Sequence, residues 1–380
     1  MSFVREEIER IAKGTFIGGN EVELLWRGQD AFGGILEAAR QAKESICLQF
    51  YIFRDDETGE TLADIIKEKA RQGMKVHVLY DHLGSFGTPR SFWRSLEQAG
   101  VKVRASRPFS FLSPRRYTTR DHRKLMIIDG KEAFTGGLNI ANEYRGLRAR
   151  RKEPWRDTGI ILKGPVAGAL MQEFVKAWNA WGREPLARGV PAAIEKQGSL
   201  LAMPIFARSA RGRRKLRRVL YYSINHASED IALTTAYFSP SRRLLDTLEE
   251  AVRRGVRVRL LLPGISDVAS VQYVGRAFFG RLLASGVEIY TYMHRVLHAK
   301  TYIFDDAWCI VGSANLDFRS LRRNDEGNVG ILDRGFARRM AAMFAEDLEH
   351  SRRVRLEDWQ RRPHCEKAKE KFYSLFRRRL

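Results

Sequence analysis

The segment HRKLMIID at residues 122–129 decides how this sequence is interpreted, because a related segment, HAKTYIFD, occurs at residues 298–305. Both keep a histidine, a lysine two residues later and an aspartate at the end of an apolar run. A glycine-rich turn follows each, GGLN at 136–139 and GSAN at 312–315, and its asparagine stands at the same distance from the histidine in both copies. Four residue types at matched offsets indicate an internal duplication.

The duplication extends outward from these two motifs. In each half an amphipathic helix, around residues 29–43 and 214–227, precedes an apolar strand-like run, and further helix, glycine and strand patterns follow. Strands that alternate with helices of about 10–15 residues predict an α/β fold with a mainly parallel, helix-covered sheet in each half. The paired strand segments are 46–53 and 231–238, 75–80 and 257–262, and 99–103 and 285–289.

The connection between the halves is predicted in REPLARGVPAAIEKQGS, residues 183–199, because prolines and glycines interrupt it. We therefore expect an N-terminal domain over 1–190 with the first motif. A C-terminal domain over 191–380 would hold the second motif and end in a basic helical tail. The apolar helix predicted over 166–181 carries aromatic residues at helical spacing, which we interpret as core.

Composition narrows the function classes. The 380 residues carry a formal net charge of +22, which favours polyanionic partners such as nucleic acid, anionic lipid or a phosphate-bearing substrate. No apolar run approaches the roughly 18 residues typical of a transmembrane helix, and the N-terminus lacks the apolar stretch of a secretory signal. We expect a protein that reaches any membrane from one side.

The motif residues suit attack on a phosphodiester. Such attack needs a nucleophile and, on the opposite side of phosphorus, a group that protonates the leaving oxygen. Histidine serves either purpose near neutral pH. Since one histidine cannot do both at once, His122 and His298 together predict a two-histidine site, provided that the two halves face each other.

The remaining motif residues supply charge and hydrogen bonds. Residues two apart on a strand share a face, so Lys124 and Lys300 are expected beside the histidines, holding the phosphoryl oxygens. Asn139 and Asn315 would add neutral donors. With two lysines present, we expect no metal and no other cofactor.

Carboxylates have two predicted uses. Asp129 and Asp305 belong to the motif and are counted with the site, yet their odd spacing from the histidines predicts a role in fixing the strand ends by hydrogen bonding. Carboxylates that orient the imidazoles are expected within the same half: Glu326, 28 residues after His298, would pair with that histidine, and Asp157 would pair with His122, although its spacing of 35 residues does not match.

These paired motifs resemble the phospholipase D superfamily. Further strings are similar to bacterial cardiolipin synthases: YIF at 51–53, GGLNIA at 136–141, WRDT at 155–158, LHAK at 297–300 and GSANLDFRS at 312–320. The resemblance implies two tandem phospholipase D-like α/β sandwich domains related by pseudo-twofold symmetry.

It also implies an activity: transfer of a phosphatidyl group from one phosphatidylglycerol to another through a phosphohistidine, with release of glycerol. His122 would be the nucleophile and His298 the acid and then the base. The implied place of action is the cytoplasmic face of the bacterial cell membrane, with peripheral attachment.

Lipid access without a membrane span needs basic and apolar residues together. The segment PFSFLSPRR at 108–116 meets this need just before the first motif, and it makes Phe109, Phe111, Leu112, Arg115 and Arg116 candidate membrane contacts. A second candidate is VGRAFFGRLL at 274–283, which is equally compatible with a core-facing helix.

Three other functions fit parts of the sequence. A nuclease of the same superfamily would also use the net charge, although the arginine runs largely lack the aromatic residues that stack on bases. A phospholipase D-type hydrolase would share the covalent intermediate and use water as acceptor. A non-catalytic membrane-binding protein is disfavoured because both motifs are intact.

Overall fold

The computed structural model describes residues 5–109, 111, 117–147, 154–187 and 194–376. In these residues the chain forms fourteen helices and fifteen strands. The strands are β1 (Ile17–Leu25), β2 (Ser45–Phe50), β3 (Lys75–Asp81), β4 (Lys102–Ser106), β5 (Leu125–Ile128), β6 (Glu132–Gly136), β7 (Gly159–Lys163), β8 (Leu200–Ala207), β9 (Asp230–Thr234), β10 (Arg257–Pro263), β11 (Glu288–Tyr292), β12 (Thr301–Phe304), β13 (Trp308–Gly312), β14 (Glu326–Leu332) and β15 (Ser351–Val354).

The helices lie between these strands and at both ends of the described chain. They are α1 (Arg5–Ala12), α2 (Gly28–Gln41), α3 (Glu57–Arg71), α4 (Arg90–Gln98), α5 (Asn142–Arg145), α6 (Pro165–Trp178), α7 (Ala210–His226), α8 (Arg242–Arg253), α9 (Ala269–Arg276), α10 (Phe279–Ala284), α11 (Phe318–Arg322), α12 (Arg334–Glu349), α13 (Leu356–Gln360) and α14 (His364–Ser374). None of the helices in this part of the chain combines the length and apolar character that a membrane crossing requires.

All fifteen described strands belong to one sheet, in the order β15-β11-β10-β9-β12-β13-β14-β8-β1-β7-β6-β5-β2-β3-β4. Read outward from the central β1–β8 pair, the two sides follow the same pattern, with β15 added at one edge. The duplication in the sequence is therefore a duplication of strand order, and the predicted α/β class is confirmed. The predicted boundary at residue 190 lies outside the described residues and stays a prediction.

The sheet is mixed, and the prediction of mainly parallel pairing is wrong. Among the described strands, parallel ladders join only β2 with β3, β3 with β4, β9 with β10 and β10 with β11. The motif strands β5 and β12 instead begin antiparallel hairpins with β6 and β13. The physical reason is connection length, because a parallel crossover needs a dozen or more residues and these hairpin turns are far shorter.

Three apolar clusters hold helices against the sheet. On one face, α6 and α12 pack over strands of both halves. On the other face, α2, α3 and α4 cover the N-terminal half and α7 and α8 cover the C-terminal half. Strand β2 shows the alternation that makes this possible, since Ile46 and Leu48 face α2 while Cys47 faces α6.

Two apolar segments of the sequence turn out to be core. Phe174 and Trp178 of α6 are fully buried, as interpreted from their spacing. Phe279, at the start of α10, is buried too and packs against Trp359. The second membrane-contact candidate, residues 274–283, is therefore mostly a core-facing element, because its apolar side chains are needed to cover the C-terminal half of the sheet.

The motif aspartates lie at the strand ends remote from the histidines. Asp129 follows β5, and its carboxylate accepts the backbone N–H groups of residues 43, 44 and 45 at 2.9, 2.7 and 2.8 Å. Asp305 follows β12 and does the same for residues 228, 229 and 230 at 2.8, 2.9 and 3.0 Å. Each carboxylate thereby fixes the start of the neighbouring strand. The sequence analysis counted both aspartates with the catalytic site, and the structure corrects this to a structural role.

Replacing Asp305 with alanine should destabilise the fold. The variant leaves three backbone N–H groups without their charged acceptor, and it places alanine at a φ of 51°, so we expect a loss of about 2–3 kcal/mol in the free energy of unfolding. Asp305→Asn keeps one acceptor oxygen and tolerates this conformation, so its loss should be smaller. Denaturant unfolding measures both, and equal stability of Asp305→Ala and the parent would contradict this role.

Candidate active site

The two histidines precede their strands and cross to the opposite half. Asp121 forms an isolated bridge with Asp325, and the N–H of His122 donates to the carbonyl of Asp325 at 2.9 Å. In the other half Arg156 bridges to Leu297, and the N–H of His298 donates to the carbonyl of Arg156 at 2.7 Å. These backbone bonds hold each histidine against a strand-like segment of the other repeat.

One cavity of about 390 Å³ receives both imidazoles. His122 and His298 line it together with Asn139 and Asn315, so the structure brings these four predicted residues together. Aromatic side chains form much of the remaining wall; the tyrosines meet an imidazole edge to face, and the tryptophan is tilted against that of His298. They are Tyr51, Tyr144, Trp155 and Tyr237.

Each imidazole is paired with a carboxylate of the other half. The Nδ1 atom of His122 lies 3.0 Å from Oε2 of Glu326, and Nδ1 of His298 lies 2.6 Å from Oδ2 of Asp157. The predicted pairing of Glu326 with His298 and of Asp157 with His122 is therefore wrong. Proximity in sequence is misleading here, because the backbone bridges place each histidine beside the repeat to which it does not belong.

This pairing fixes the chemistry of the imidazoles. A carboxylate only accepts hydrogen bonds, so Nδ1–H donates to it and leaves the lone pair on Nε2 free. Nζ of Lys300 also lies 2.7 Å from Nδ1 of His298, and with a proton on Nδ1 this is a close contact between two donors rather than a hydrogen bond. Burial, with the neighbouring Lys124 charge, lowers the pKa of His122 to about 4, although Glu326 opposes the shift. Burial and Lys300 likewise lower the pKa of His298 against the opposing effect of Asp157. Both side chains are therefore held neutral near pH 7.

The motif lysines lie buried beside the histidines. The Nζ atom of Lys124 donates to the carbonyl of His122 at 2.6 Å, and Nζ of Lys300 contacts the carbonyl of His298. Burial lowers the pKa of Lys124 to about 7, helped by repulsion from Lys300. Burial also lowers the pKa of Lys300 to about 8, while Asp157 and Glu326 oppose that shift. The two motifs meet at one centre, since both histidines line the same cavity and each lysine contacts the carbonyl of its own histidine.

The glycine-rich turns make room for, or bond to, the carboxylates of Asp157 and Glu326, a role that the sequence analysis missed. A side chain at Gly137 would meet Oδ1 of Asp157, since a Cβ there would lie 2.0 Å from it. In the second motif the equivalent residue is Ser313, whose hydroxyl donates to Oε2 of Glu326. The exchange of glycine for serine between the motifs, visible in the sequence, is the signal that the two carboxylate sites differ.

The two asparagines are oriented by hydrogen bonds to their oxygens. Oδ1 of Asn139 accepts the N–H of Ile52 at 3.1 Å, and Oδ1 of Asn315 accepts the N–H of Tyr237 and the hydroxyl of Thr235, both at 3.2 Å. With the oxygen occupied, each Nδ2 is left as the donor of the amide. Donation from these amides to a phosphoryl oxygen stays a prediction.

Several charged residues of the cavity were not predicted as site residues, although two of them lie in the GSANLDFRS string at 312–320. Arg54, Arg120 and Arg319 line it, as do Asp267 and Asp317. Burial raises the pKa of Asp317 to about 7, although the N–H of Ser320 opposes the shift. In the part of the chain that the structure describes, no group of histidine, cysteine and acidic side chains is arranged to bind a metal ion.

The chain matches the family model described as "Cardiolipin synthase, PLD-like domain" over residues 35–178 and 220–348, which contain both motifs and most of the cavity wall. It belongs to the cardiolipin synthase family. The major cardiolipin synthase ClsA of Bacillus subtilis strain 168 is 35% identical to it over 366 residues, which are 95% of this chain and 76% of that protein.

A second relative within the family is cardiolipin synthase A of Pseudomonas fluorescens strain SBW25. It is 34% identical over 343 residues, which are 90% of this chain and 71% of that protein. Among solved structures, the phosphatidylserine synthase of Haemophilus influenzae Rd KW20 superposes with a TM-score of 0.77. That likeness covers 99% of this chain and all of the other at 15% identity, and it shows a shared fold.

The titration of His122 tests the described electrostatics. With a pKa of about 4, the imidazole should stay neutral at pH 6, where an ordinary imidazole is mostly protonated. Because the Glu326 carboxylate favours the protonated form, Glu326→Gln should lower the pKa further. Heteronuclear NMR of labelled histidine between pH 3 and 8 measures both midpoints, and a midpoint near 6.5 in the parent protein would contradict the described environment.

Proposed function

We propose that this protein is a cardiolipin synthase that moves a phosphatidyl group from one phosphatidylglycerol to another. The observation that supports this reaction is the single cavity, in which two imidazoles each turn a free Nε2 away from a carboxylate. An in-line displacement at phosphorus needs one group to attack and another to protonate the leaving oxygen. The two histidines supply both.

In the first step Nε2 of His122 attacks the phosphorus of the donor lipid. The negative charge of the phosphodiester in the cavity raises the pKa of His298, which takes up a proton on Nε2 and becomes an imidazolium. A nitrogen–phosphorus bond then forms, the bond from phosphorus to the glycerol oxygen breaks, and the His298 imidazolium gives that oxygen its Nε2 proton. The assignment follows the family resemblance, and the lowered pKa of His122 supports it because a nucleophile has to be unprotonated.

In the second step the glycerol of another phosphatidylglycerol occupies the place of the one released. His298, now neutral, takes the proton from its hydroxyl, the oxygen bonds to phosphorus, and the bond to His122 breaks. The product is cardiolipin. Asp157, 2.6 Å from His298, stabilises the imidazolium that this proton transfer forms.

Lys124 and Lys300 would stabilise the negative charge of the phosphoryl oxygens. Both side chains are fully buried, and each ammonium group donates a hydrogen bond to the carbonyl of its histidine. A phosphate entering between the histidines would draw the ammonium groups toward itself, and its charge would raise their pKa from the lowered values described above.

We further propose that the mouth of the cavity contacts the membrane. Leu83 and Val268 line the cavity and are exposed, and they belong to loops that follow the equivalent strands β3 and β10. Phe86 is 75% exposed and Ile265 is 46% exposed in the same two loops. Each half thus contributes an apolar loop to the rim, as binding to a lipid surface requires.

The predicted Phe109–Phe111 contact adjoins this rim. Phe111 is 88% exposed, and its ring meets Phe109 edge to face at 4.8 Å, while Phe109 contacts Tyr117. Tyr117 also contacts His82 beside Leu83, which connects the segment to the cavity mouth. The other predicted contacts, Leu112, Arg115 and Arg116, lie outside the described residues and stay predictions, as does attachment at the cytoplasmic face.

Removal of either histidine should abolish transfer. Purified protein is incubated with phosphatidylglycerol vesicles, with and without EDTA, and cardiolipin and free glycerol are measured. We expect cardiolipin from the parent protein under both conditions, and a loss of about a thousandfold or more in His122→Ala and in His298→Ala, because each step needs both groups.

The same experiment separates the alternative functions. Phosphatidic acid in place of cardiolipin would indicate a hydrolase, and cleavage of supercoiled DNA run in parallel would indicate a nuclease. Cardiolipin formation that survives in either histidine variant would refute the two-histidine scheme. Thermal unfolding of the variants confirms that a loss of activity is not a loss of fold.

The membrane contact is tested by removing its aromatic side chains. Phe109→Ser combined with Phe111→Ser should weaken binding to vesicles of anionic lipid by about tenfold or more, because each buried phenyl ring contributes about 1.5–3 kcal/mol. Vesicle sedimentation measures the bound fraction. The matched control is Phe372→Ser on α14, another exposed phenylalanine, which is not among the residues that line the cavity; unchanged binding of the double variant would contradict the proposal.

A further inference from the structure

A transfer between two phosphatidylglycerol molecules brings two phosphodiesters to one site. The donor's phosphodiester is cleaved between the histidines, whereas the acceptor's stays intact and must lie nearby while its terminal hydroxyl attacks. Water and free glycerol carry no such charge. This inference rests on the proposed function. An enzyme with that activity benefits from a second anion site, which distinguishes a lipid acceptor from neutral acceptors such as water and glycerol.

Arg120 is a buried cation with free hydrogen-bonding capacity in the cavity wall. It is only 2% exposed, and Nη1 reaches Oδ1 of Asp81 at the long distance of 3.5 Å. Its Nε and Nη2 atoms are buried and have no hydrogen-bond partner among the described residues. Buried donors of a charged group are ordinarily satisfied, so the two open donors of this guanidinium beside a cavity point to a ligand that supplies the acceptors.

Arg319 stands on the same side of the cavity. It is half-buried, lines the cavity, and donates from Nη2 to the carbonyl of Thr118 at 3.3 Å. The guanidinium of Arg120 lies 4.1 Å from the ring centre of Tyr117, the residue before Thr118, so both arginines reach the same short segment. Both charges also favour the ionised form of the Tyr51 hydroxyl, against the burial that raises the pKa of Tyr51 to about 12. Arg120 and Arg319 therefore place their charges around one point of the wall.

The other cations of the cavity are already engaged. Arg54 pairs with Glu143 at 3.2 Å. The ammonium groups of Lys124 and Lys300 lie beneath the histidines, close to Glu326 and Asp157, where they serve the phosphate that reacts. The Arg120–Arg319 pair thus forms a positive centre separate from the reacting one but open to the same cavity.

We propose that Arg120 and Arg319 form a second phosphate site, which binds the intact phosphodiester of the acceptor lipid. Guanidinium groups suit this task because their paired N–H donors match two phosphate oxygens. The site holds the acceptor's glycerol toward the phosphohistidine and increases the share of lipid over water as acceptor. It leaves the chemistry of the donor phosphate to the histidines and lysines.

Two acceptors test the site in one preparation. Cardiolipin formation from phosphatidylglycerol uses a phosphate-bearing acceptor, whereas exchange of labelled glycerol into phosphatidylglycerol uses a neutral one and the same donor. In Arg120→Gln and Arg319→Gln the ratio of cardiolipin formation to glycerol exchange should fall about tenfold to a hundredfold, as expected for the loss of a charge-assisted hydrogen bond. Arg120→Lys, which keeps the charge, should lose less.

Controls separate this site from the proposed function and from folding. Arg253→Gln, an exposed change on α8, should keep the parent ratio. Exchange activity in each variant reports that the protein is folded and the histidines work. A ratio that is unchanged in both variants, whether both activities fall together or neither does, would overturn the second site. A parent protein that neither forms cardiolipin nor exchanges glycerol would instead reject the proposed function.

Discussion

The exchange of carboxylates between the two halves is the constraint on which the site depends. Glu326 orients His122 and Asp157 orients His298, and each contact joins one repeat to the other. Neither half alone contains a complete histidine–carboxylate pair. The halves must therefore be held in one register, and the central β1–β8 ladder together with the two isolated bridges does this.

Burial makes this arrangement electrostatically demanding. Two histidines, two lysines and two carboxylates lie almost entirely out of water, where an unpaired charge is costly. Their mutual hydrogen bonds offset part of that cost, while burial and the lysine charges keep the imidazoles neutral. A bound phosphodiester gives the two lysines a further negatively charged partner, which they lack when the cavity holds only protein groups. The site is therefore organised around a negatively charged ligand.

Much of the fold and the central site could be predicted from the repeated motif. The matched offsets of His122 and His298 imply equivalent places in two repeats, and the structure puts both on one cavity. The odd spacing of Asp129 and Asp305 correctly predicts a structural role. Mainly parallel pairing was the wrong expectation, because helix and strand alternation outside the motifs says nothing about the short antiparallel hairpins that the motifs themselves form.

Other features were beyond prediction because they arise only when the halves meet. No sequence spacing indicates that Glu326 crosses to His122, since the crossing depends on backbone bonds between residues about 200 positions apart. Arg120 lies two residues before the first histidine, but the equivalent residue of the second repeat is Val296, so the repeat does not single it out. Its unpartnered donors become visible only when the cavity wall is assembled.

The covalent intermediate offers the most direct test of the central claim, that two facing imidazoles divide attack and proton transfer between them. Protein quenched in base during turnover is digested, and its peptides are weighed by mass spectrometry. The account predicts a phosphatidyl adduct on the imidazole of residue 122. Steady turnover without any adduct, or an adduct found on residue 298 instead, would contradict it.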